Sequence, residues 1–212
     1  MKQYTHIIWD WNGTLLDDVG TSVQINNEML QNRGVLPIAK EDYLDIIEMP
    51  LVNYYAKLFD LERDSFDELS LEFIKSYEER TPEMGLMDGA VEVLSALQNR
   101  GIKQIILSSF EEGIIRTLTK NLGVSGFFDE IIGRNDYKSD TKTQAAINWV
   151  EKNKIDTSKL LVVGDLIHDS EMASEIGADC VLIANGHQSK ERLQQQGVPV
   201  LTDIREITKY IG

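Results

Sequence analysis

The sequence predicts an α/β protein: a doubly wound parallel sheet with a block of helices inserted near the N-terminus. Three observations lead there. Short, almost wholly apolar runs recur along the chain, as expected of strands covered on both faces. From residue 84 onward helical patterns separate these runs, and strands alternating with helices imply a parallel sheet. Residues 17–83 interrupt the alternation with helical periodicity and no convincing strand.

The predicted strands are His6–Trp9, Lys103–Leu107, Glu130–Ile132, Leu160–Val163, Cys180–Ile183 and Val198–Leu201. Between them, Asp88 is placed to cap a helix over Gly89–Asn99, which stops at Arg100-Gly101. Ser109 with Glu112 reads as a capping box opening a helix towards Leu122-Gly123, and Thr141 with Gln144 as another before Ala145–Asn153. Ser170 starts a helix that ends near Gly177. In the block 17–83, helical spacing appears at Val23–Leu30, Tyr43–Ile47, Leu51–Phe59 and Phe66–Tyr77, the last opened by a capping box from Ser65 to Glu68. The chain therefore divides into a core, 1–16 with 84–212, and a helical insert, 17–83, beside the carboxyl edge of the sheet. There is no internal repeat and no low-complexity tract.

The 212 residues suffice to bury a substantial core. With 42% hydrophobic and 26% charged residues, a soluble globular protein is expected. The net charge of −14 argues against nucleic-acid binding through a general basic surface. It leaves room for a phosphorylated small molecule, because a bound divalent cation reverses the local field. The single cysteine, Cys180, lies in an apolar stretch and reads as a buried structural thiol. No leader pattern and no apolar run of membrane-spanning length is present, so a cytoplasmic protein with no membrane partner is expected.

Four features fall at predicted strand ends or helix starts. Asp10-Trp11-Asn12-Gly13-Thr14 follows the first strand. Ser108 follows the second, with Ser109 beside it; a helix start there favours an anion. Lys142 stands just inside a helix start, where a cation opposes the helix dipole unless something anionic holds it. Asp165 and Asp169 follow Gly164 after the fourth strand. Together with Asp10 they make an oxygen-rich site suited to Mg²⁺. Each has a plainer reading as a turn, cap or solvated residue. Their joint placement at one sheet edge, on separate strands, is what argues for chemistry. Trp9, Trp11 and Trp149 read as packing residues, and His187 as part of a surface loop near the site's edge. Met49-Pro50 either bends the insert towards the site or simply ends a helix.

In this order and composition the chain resembles the haloacid dehalogenase-like (HAD) hydrolase superfamily, most closely its phosphoglycolate-phosphatase-like branch. Asp10–Thr14 matches the nucleophile motif, Ser108 the hydroxyl motif, Lys142 the motif lysine and Gly164–Asp169 the acidic motif. The block 17–83 matches the helical C1-type cap. The resemblance implies a Rossmann-like core and a small phosphorylated substrate. Asp10 would attack phosphorus and form an aspartyl phosphate. Mg²⁺ would be held by Asp10, Asp165, Asp169 and the main-chain carbonyl of Asn12. Ser108, Lys142 and groups near Gly13, Thr14 and Ser109 would bind the phosphoryl oxygens. Lys138 stands close enough to serve in place of Lys142.

One position departs from that pattern. The residue two after the nucleophile, an aspartate that moves protons in the family's phosphatases, is here Asn12. A carboxamide exchanges no proton near neutral pH. Three consequences are open: substrates with good leaving groups such as acyl phosphates; replacement of the acid by Asp17, Glu48 or His168; or a phosphate-ligand binder with little turnover. A phosphonate hydrolase would need a cap lysine such as Lys40 or Lys57. Carbon–halogen cleavage, which needs no metal, is disfavoured by the pair Asp165 and Asp169. The aromatic residues Tyr43, Tyr54, Tyr55, Phe59, Phe66 and Phe73 read as packing and leave the substrate unnamed.

Overall fold

The computed structural model describes residues 2–134 and 141–211. Its elements in chain order are β1 His6–Trp9, β2 Leu16–Asp17, α1 Val19–Asn32, α2 Lys40–Ile46, α3 Leu51–Leu58, α4 Phe66–Arg80, β3 Gly85–Leu86 and α5 Ala90–Asn99. They continue with β4 Lys103–Glu111, α6 Glu112–Asn121, β5 Glu130–Arg134, α7 Lys142–Asn153, β6 Leu160–Gly164 and α8 Ile167–Ile176. The chain ends with β7 Asp179–Ile183, α9 Lys190–Leu193, β8 Val200–Leu201 and α10 Ile207–Tyr210.

Six strands form one sheet in the order β5-β4-β1-β6-β7-β8, every pair parallel. The apolar runs explain why both faces are covered. Ile7 and Trp9 of β1 pack on one side with Leu94 and Leu97 of α5, Ile115 and Leu118 of α6 and Ile207 of α10. Ile8, between them, packs on the other side with Ala146 and Trp149 of α7 and Met172, Ala173 and Ile176 of α8. This is the period-2 rule of a strand acting on a wholly apolar sequence. Each fully buried Leu, Ile or Val contributes about 1.5–3 kcal/mol by leaving water. Trp9 and Gln104 share a buried hydrogen bond of 3.1 Å, which satisfies the indole without disturbing its packing.

β1 lies at the switch point, with later strands added on both sides of it, where ligands bind in open sheets of this kind. Trp9 pairs with Ile106 of β4 and Val163 of β6, so Asp10 leaves the sheet level with the ends of both neighbours. The four helices α1 to α4 lie between β1 and the next αβ unit. β2 pairs antiparallel with β3, so the chain leaves and rejoins the core at one point. This small ribbon includes Asp17 and was not expected from the sequence. The expected aromatic packing of the insert is present: Tyr43, Tyr54, Tyr55 and Phe59 are buried, with Phe66 and Phe73 packed against them.

Several local expectations need correction. α5 is entered from Gly89 without a side-chain cap, and Asp88 instead faces Arg205 at 2.9 Å. Ser109 does not cap α6. β4 runs on to Glu111 through a register shift after Leu107, and the Glu111 carboxylate accepts the amides of Gly113 and Ile114. α8 starts at Ile167, three residues before Ser170, with Asp169 reaching back to the Leu166 amide at 3.0 Å. The capping box at Ser65 is as expected; at Thr141 the hydroxyl accepts the Gln144 amide, but the Gln144 side chain donates to Asn148 instead of closing the box. Among the described residues, no helix is long and apolar enough to cross a membrane.

Candidate active site

Three carboxylates, from the ends of β1 and β6 and the first turn of α8, meet beyond β1. Asp10, Asp165 and Asp169 are buried, and one oxygen from each lies within 4.8 Å of the others. Lys142, at the first turn of α7, places Nζ 2.6 Å from Asp10 Oδ1 and 2.6 Å from Asp169 Oδ1. The anion suspected from its position at a helix start is therefore this pair. Lys138 lies outside the described residues. Asp165 is held from both sides: Thr14 Oγ1 donates to its Oδ1 at 2.7 Å, and the His187 amide donates to its Oδ2 at 2.6 Å.

Burial dominates the protonation of this cluster. It pushes Asp10 up to about 7, with the Asp169 and Asp165 carboxylates adding to the push and Lys142 opposing it. Asp165 rises to about 6, again mainly through burial. Lys142 is held well above its ordinary value: burial would lower it, but Asp10 and Asp169 prevail. Such like-charge crowding in a dry site suits a divalent cation, and oxygen donors of this kind match a hard ion such as Mg²⁺.

The loop after β1 is a tight turn. The amides of Leu15 and Leu16 both reach the Trp11 carbonyl, and Gly13 adopts φ +71°. A Cβ at Gly13 would meet the Asp165 carboxylate and the His187 ring, so only glycine fits there. The Gly13 amide, expected to face a phosphoryl group, instead donates to Asp18 Oδ1 at 2.7 Å and to the Leu16 carbonyl at 3.0 Å. Thr14 is fully buried against Asp165 rather than open to a substrate. Ser108 is buried within β4, just after Leu107 where the register shifts, and its Oγ accepts the Phe110 amide at 3.1 Å. Ser109 is exposed, because β4 continues past it and turns its side chain away.

Asn12 is not an idle replacement. Its Nδ2 donates to Asp18 Oδ2 at 3.0 Å and to the Tyr77 hydroxyl of α4 at 2.7 Å. None of the three residues suggested as substitutes for its missing acid joins the cluster. Asp17 is exposed, Glu48 pairs with Lys57 at 2.8 Å, and His168 lies 3.6 Å from Glu171. Lys40 is exposed, and Lys57 also donates to the Ile46 carbonyl, so neither lysine is drawn to the carboxylates.

Two residues of the site were missed or misjudged from sequence. Asp18, next to Asp17, is buried, and His187 is a buried residue rather than a surface-loop one. His187 Nε2 stands 3.2 Å from Asp18 Oδ1, and its Nδ1 is 2.7 Å from the Tyr43 hydroxyl. Burial alone would lower this imidazole, but Asp18 and then Asp165 raise it to about 9. The signal for His187 was Asn185-Gly-His directly after a strand. Gly186 there is forced, because a Cβ would enter the Asp165 carboxylate. Fully ionised, Asp10, Asp18, Asp165 and Asp169 exceed the cations Lys142 and His187 by two charges, which is the charge of one divalent metal ion.

A family model for haloacid dehalogenase-like hydrolases matches residues 7–183. A phosphoglycolate phosphatase of Pseudomonas fluorescens is 23% identical over 205 residues, covering 93% of this chain and 75% of the relative. A tyrosine-protein kinase of Mycobacterium tuberculosis is 24% identical over 211 residues, covering 97% and 72%. Among solved structures, a haloacid dehalogenase-like hydrolase from Streptococcus pneumoniae superposes with a TM-score of 0.85 at 19% identity, covering 99% of both chains.

Proposed function

Because the chain belongs to the haloacid dehalogenase-like hydrolase family, we propose that it is a Mg²⁺-dependent phosphohydrolase of small phosphorylated metabolites. Asp10 is its nucleophile and the helices of 17–83 are its cap. The observation that carries this reading is the buried cluster Asp10, Asp165 and Asp169, with Lys142 2.6 Å from the first and the last. The phosphatase relatives support a phosphoryl group as its target.

An Asp10 oxygen forms a bond to phosphorus as the bond to the leaving oxygen breaks, giving an aspartyl phosphate. Water then cleaves that intermediate, releasing inorganic phosphate and restoring Asp10. Lys142 orients the nucleophile and, with Ser108, faces the phosphoryl oxygens over which transition-state charge spreads. Asp10, Asp165, Asp169 and the Asn12 main-chain carbonyl would hold the metal. When bound, Mg²⁺ neutralises the charge between nucleophile and phosphoryl group. The cap helices exclude water from the first step.

Asn12 bounds the substrate class. It has no group that titrates near neutral pH, and its amide is already engaged by Asp18 and Tyr77. Leaving groups that depart without protonation, such as acyl phosphates, fit best. The same engagement favours a second reading, a phosphate-ligand binder with little turnover. A panel of acyl, aryl and alkyl phosphates, assayed with and without Mg²⁺, separates the two. Mg²⁺-dependent turnover with a phosphoryl group that appears on Asp10 and clears, lost in Asp10→Asn, supports the hydrolase. Tight binding without turnover across the panel supports the binder.

A further inference from the structure

Asp18 stands at the N-terminus of α1, where aspartate is among the best capping residues and contributes helix stability by accepting a first-turn amide. It makes no such bond. Its side chain turns back towards the nucleophile loop instead, into full burial. There its Oδ1 accepts the Gly13 amide at 2.7 Å and faces His187 Nε2 at 3.2 Å. Its Oδ2 accepts Asn12 Nδ2 at 3.0 Å and the Tyr77 hydroxyl at 2.6 Å. An ionised carboxylate offers about four acceptor sites, and these four partners fill them.

The donors come from three places. Asn12 and Gly13 belong to the nucleophile loop, Tyr77 to α4 of the insert, and His187 to the loop after β7. The hydrogen-bond polarity is unambiguous, because a carboxylate only accepts. Asn12 must therefore turn its amide nitrogen, not its oxygen, towards Asp18. Tyr77 donates to Asp18 and so accepts from Asn12. An ionised aspartate at position 12 would set two acceptors against each other. Asn12 is thus the donor that Asp18 requires.

We propose that Asp18 is the positioning residue of the nucleophile loop, and that Tyr77 makes its hold depend on the insert lying closed over Asp10. Asp18 acts through Asn12 and Gly13 and touches no reacting atom. The consequence for rate rests on the phosphohydrolase reading; the consequence for loop order does not. If Tyr77 withdraws with α4, Asn12 and Asp18 each lose a partner and the loop loosens. With Tyr77 in place, the loop is fixed at the moment the site is covered.

The test uses the full chain and reads hydrogen exchange of the Gly13 amide by NMR, with acetyl phosphate as the kinetic probe. Loss of a hydrogen bond to a charged group is expected to raise Gly13 exchange at least about tenfold in Asp18→Asn. In Tyr77→Phe, which removes one neutral donor from the far side of the cleft, a rise of about threefold or more is expected. Turnover of acetyl phosphate is expected to fall through kcat, with KM within about threefold of the parent, because binding groups are untouched. Combining Asn12→Asp with Asp18→Asn restores one donor and one acceptor, and is expected to recover Gly13 protection lost in Asp18→Asn. Unchanged Gly13 exchange in Tyr77→Phe overturns the link to the insert. Failure of the exchanged pair to recover protection overturns the role of Asp18. If Asp18→Asn alone does not fold, Tyr77→Phe and the exchanged pair, each read against the parent's Gly13 protection, still decide. Exchange needs no turnover, so the result stands even if no phosphate is hydrolysed.

Discussion

His187 and Asp18, 169 residues apart in the chain, face each other across 3.2 Å in the buried heart of the site. The pair joins the loop after β7 to the start of α1, and Tyr43 of the insert secures the other ring nitrogen. Its pH dependence follows from the imidazole. The folded-state value of about 9 lies above the ordinary 6.5, so the stabilisation is fully present below about 6.5 and is lost as pH rises through about 9. Thermal unfolding of metal-free protein and of His187→Gln checks this. The parent's advantage is expected to shrink steadily between those two pH values. A constant difference over that range would refute a charged His187.

Lys142 is enclosed by carboxylates, so Lys142→Met leaves Asp10 and Asp169 without their cation. Breaking a buried ion pair from one side costs about 3–5 kcal/mol. Part of this is expected to return on adding Mg²⁺, because the metal supplies the missing positive charge. The measurement is the melting temperature of the variant with EDTA and with Mg²⁺. The Mg²⁺-induced rise should exceed that of the parent, while turnover stays at least about a hundredfold lower because transition-state charge is no longer held.

Asn12→Asp introduces the missing proton carrier beside Asp18, 3.0 Å from the present amide nitrogen. Two carboxyl groups at that range share a proton, which raises the affinity of one of them for it and suits it to act as a general acid. Hydrolysis of an alkyl phosphate monoester is expected to rise at least about tenfold, the low end for general acid–base catalysis. The melting temperature should fall, since a donor facing Asp18 is lost. A folded variant with an unchanged or lower rate would reject this account of Asn12.

Gly186→Ala places a methyl group inside the Asp165 carboxylate's space. Asp165 must then leave its present place beside Asp10 and Asp169. Loss of outer support for a metal site typically weakens affinity about 10–100-fold. Calorimetric titration with Mg²⁺ measures it, and the parent's melting point should rise with Mg²⁺ by mass action. Equal Mg²⁺ affinity in the parent and the variant would mean that Asp165 is not a ligand.

The residues readable from sequence share one property: each follows an apolar strand or opens a helix, so local pattern alone places it at the sheet's carboxyl edge. Asp10 and Asp165 follow β1 and β6, and Lys142 opens α7 after the Thr141 cap. Ser109 misled because the register shift in β4 extends the strand by several residues, and no local signal distinguishes such a shift from a helix start.

Asp17 and Asp18 show where local pattern runs out. They are adjacent and chemically identical, yet one is exposed and the other buried. The phase of a two-residue ribbon decides between them, and that phase is set by β3, some 70 residues on. His187 likewise becomes a buried residue only because Asp18 and Tyr43 close around it.

The sequence by itself determined the parallel sheet, the inserted helices and the carboxylates with their lysine, because apolar periodicity and helix caps are short-range signals. The tertiary structure alone decided what Asn12 does. Its amide has meaning only beside Asp18 and Tyr77, and packing α4 over the loop after β1 is what brings those three together.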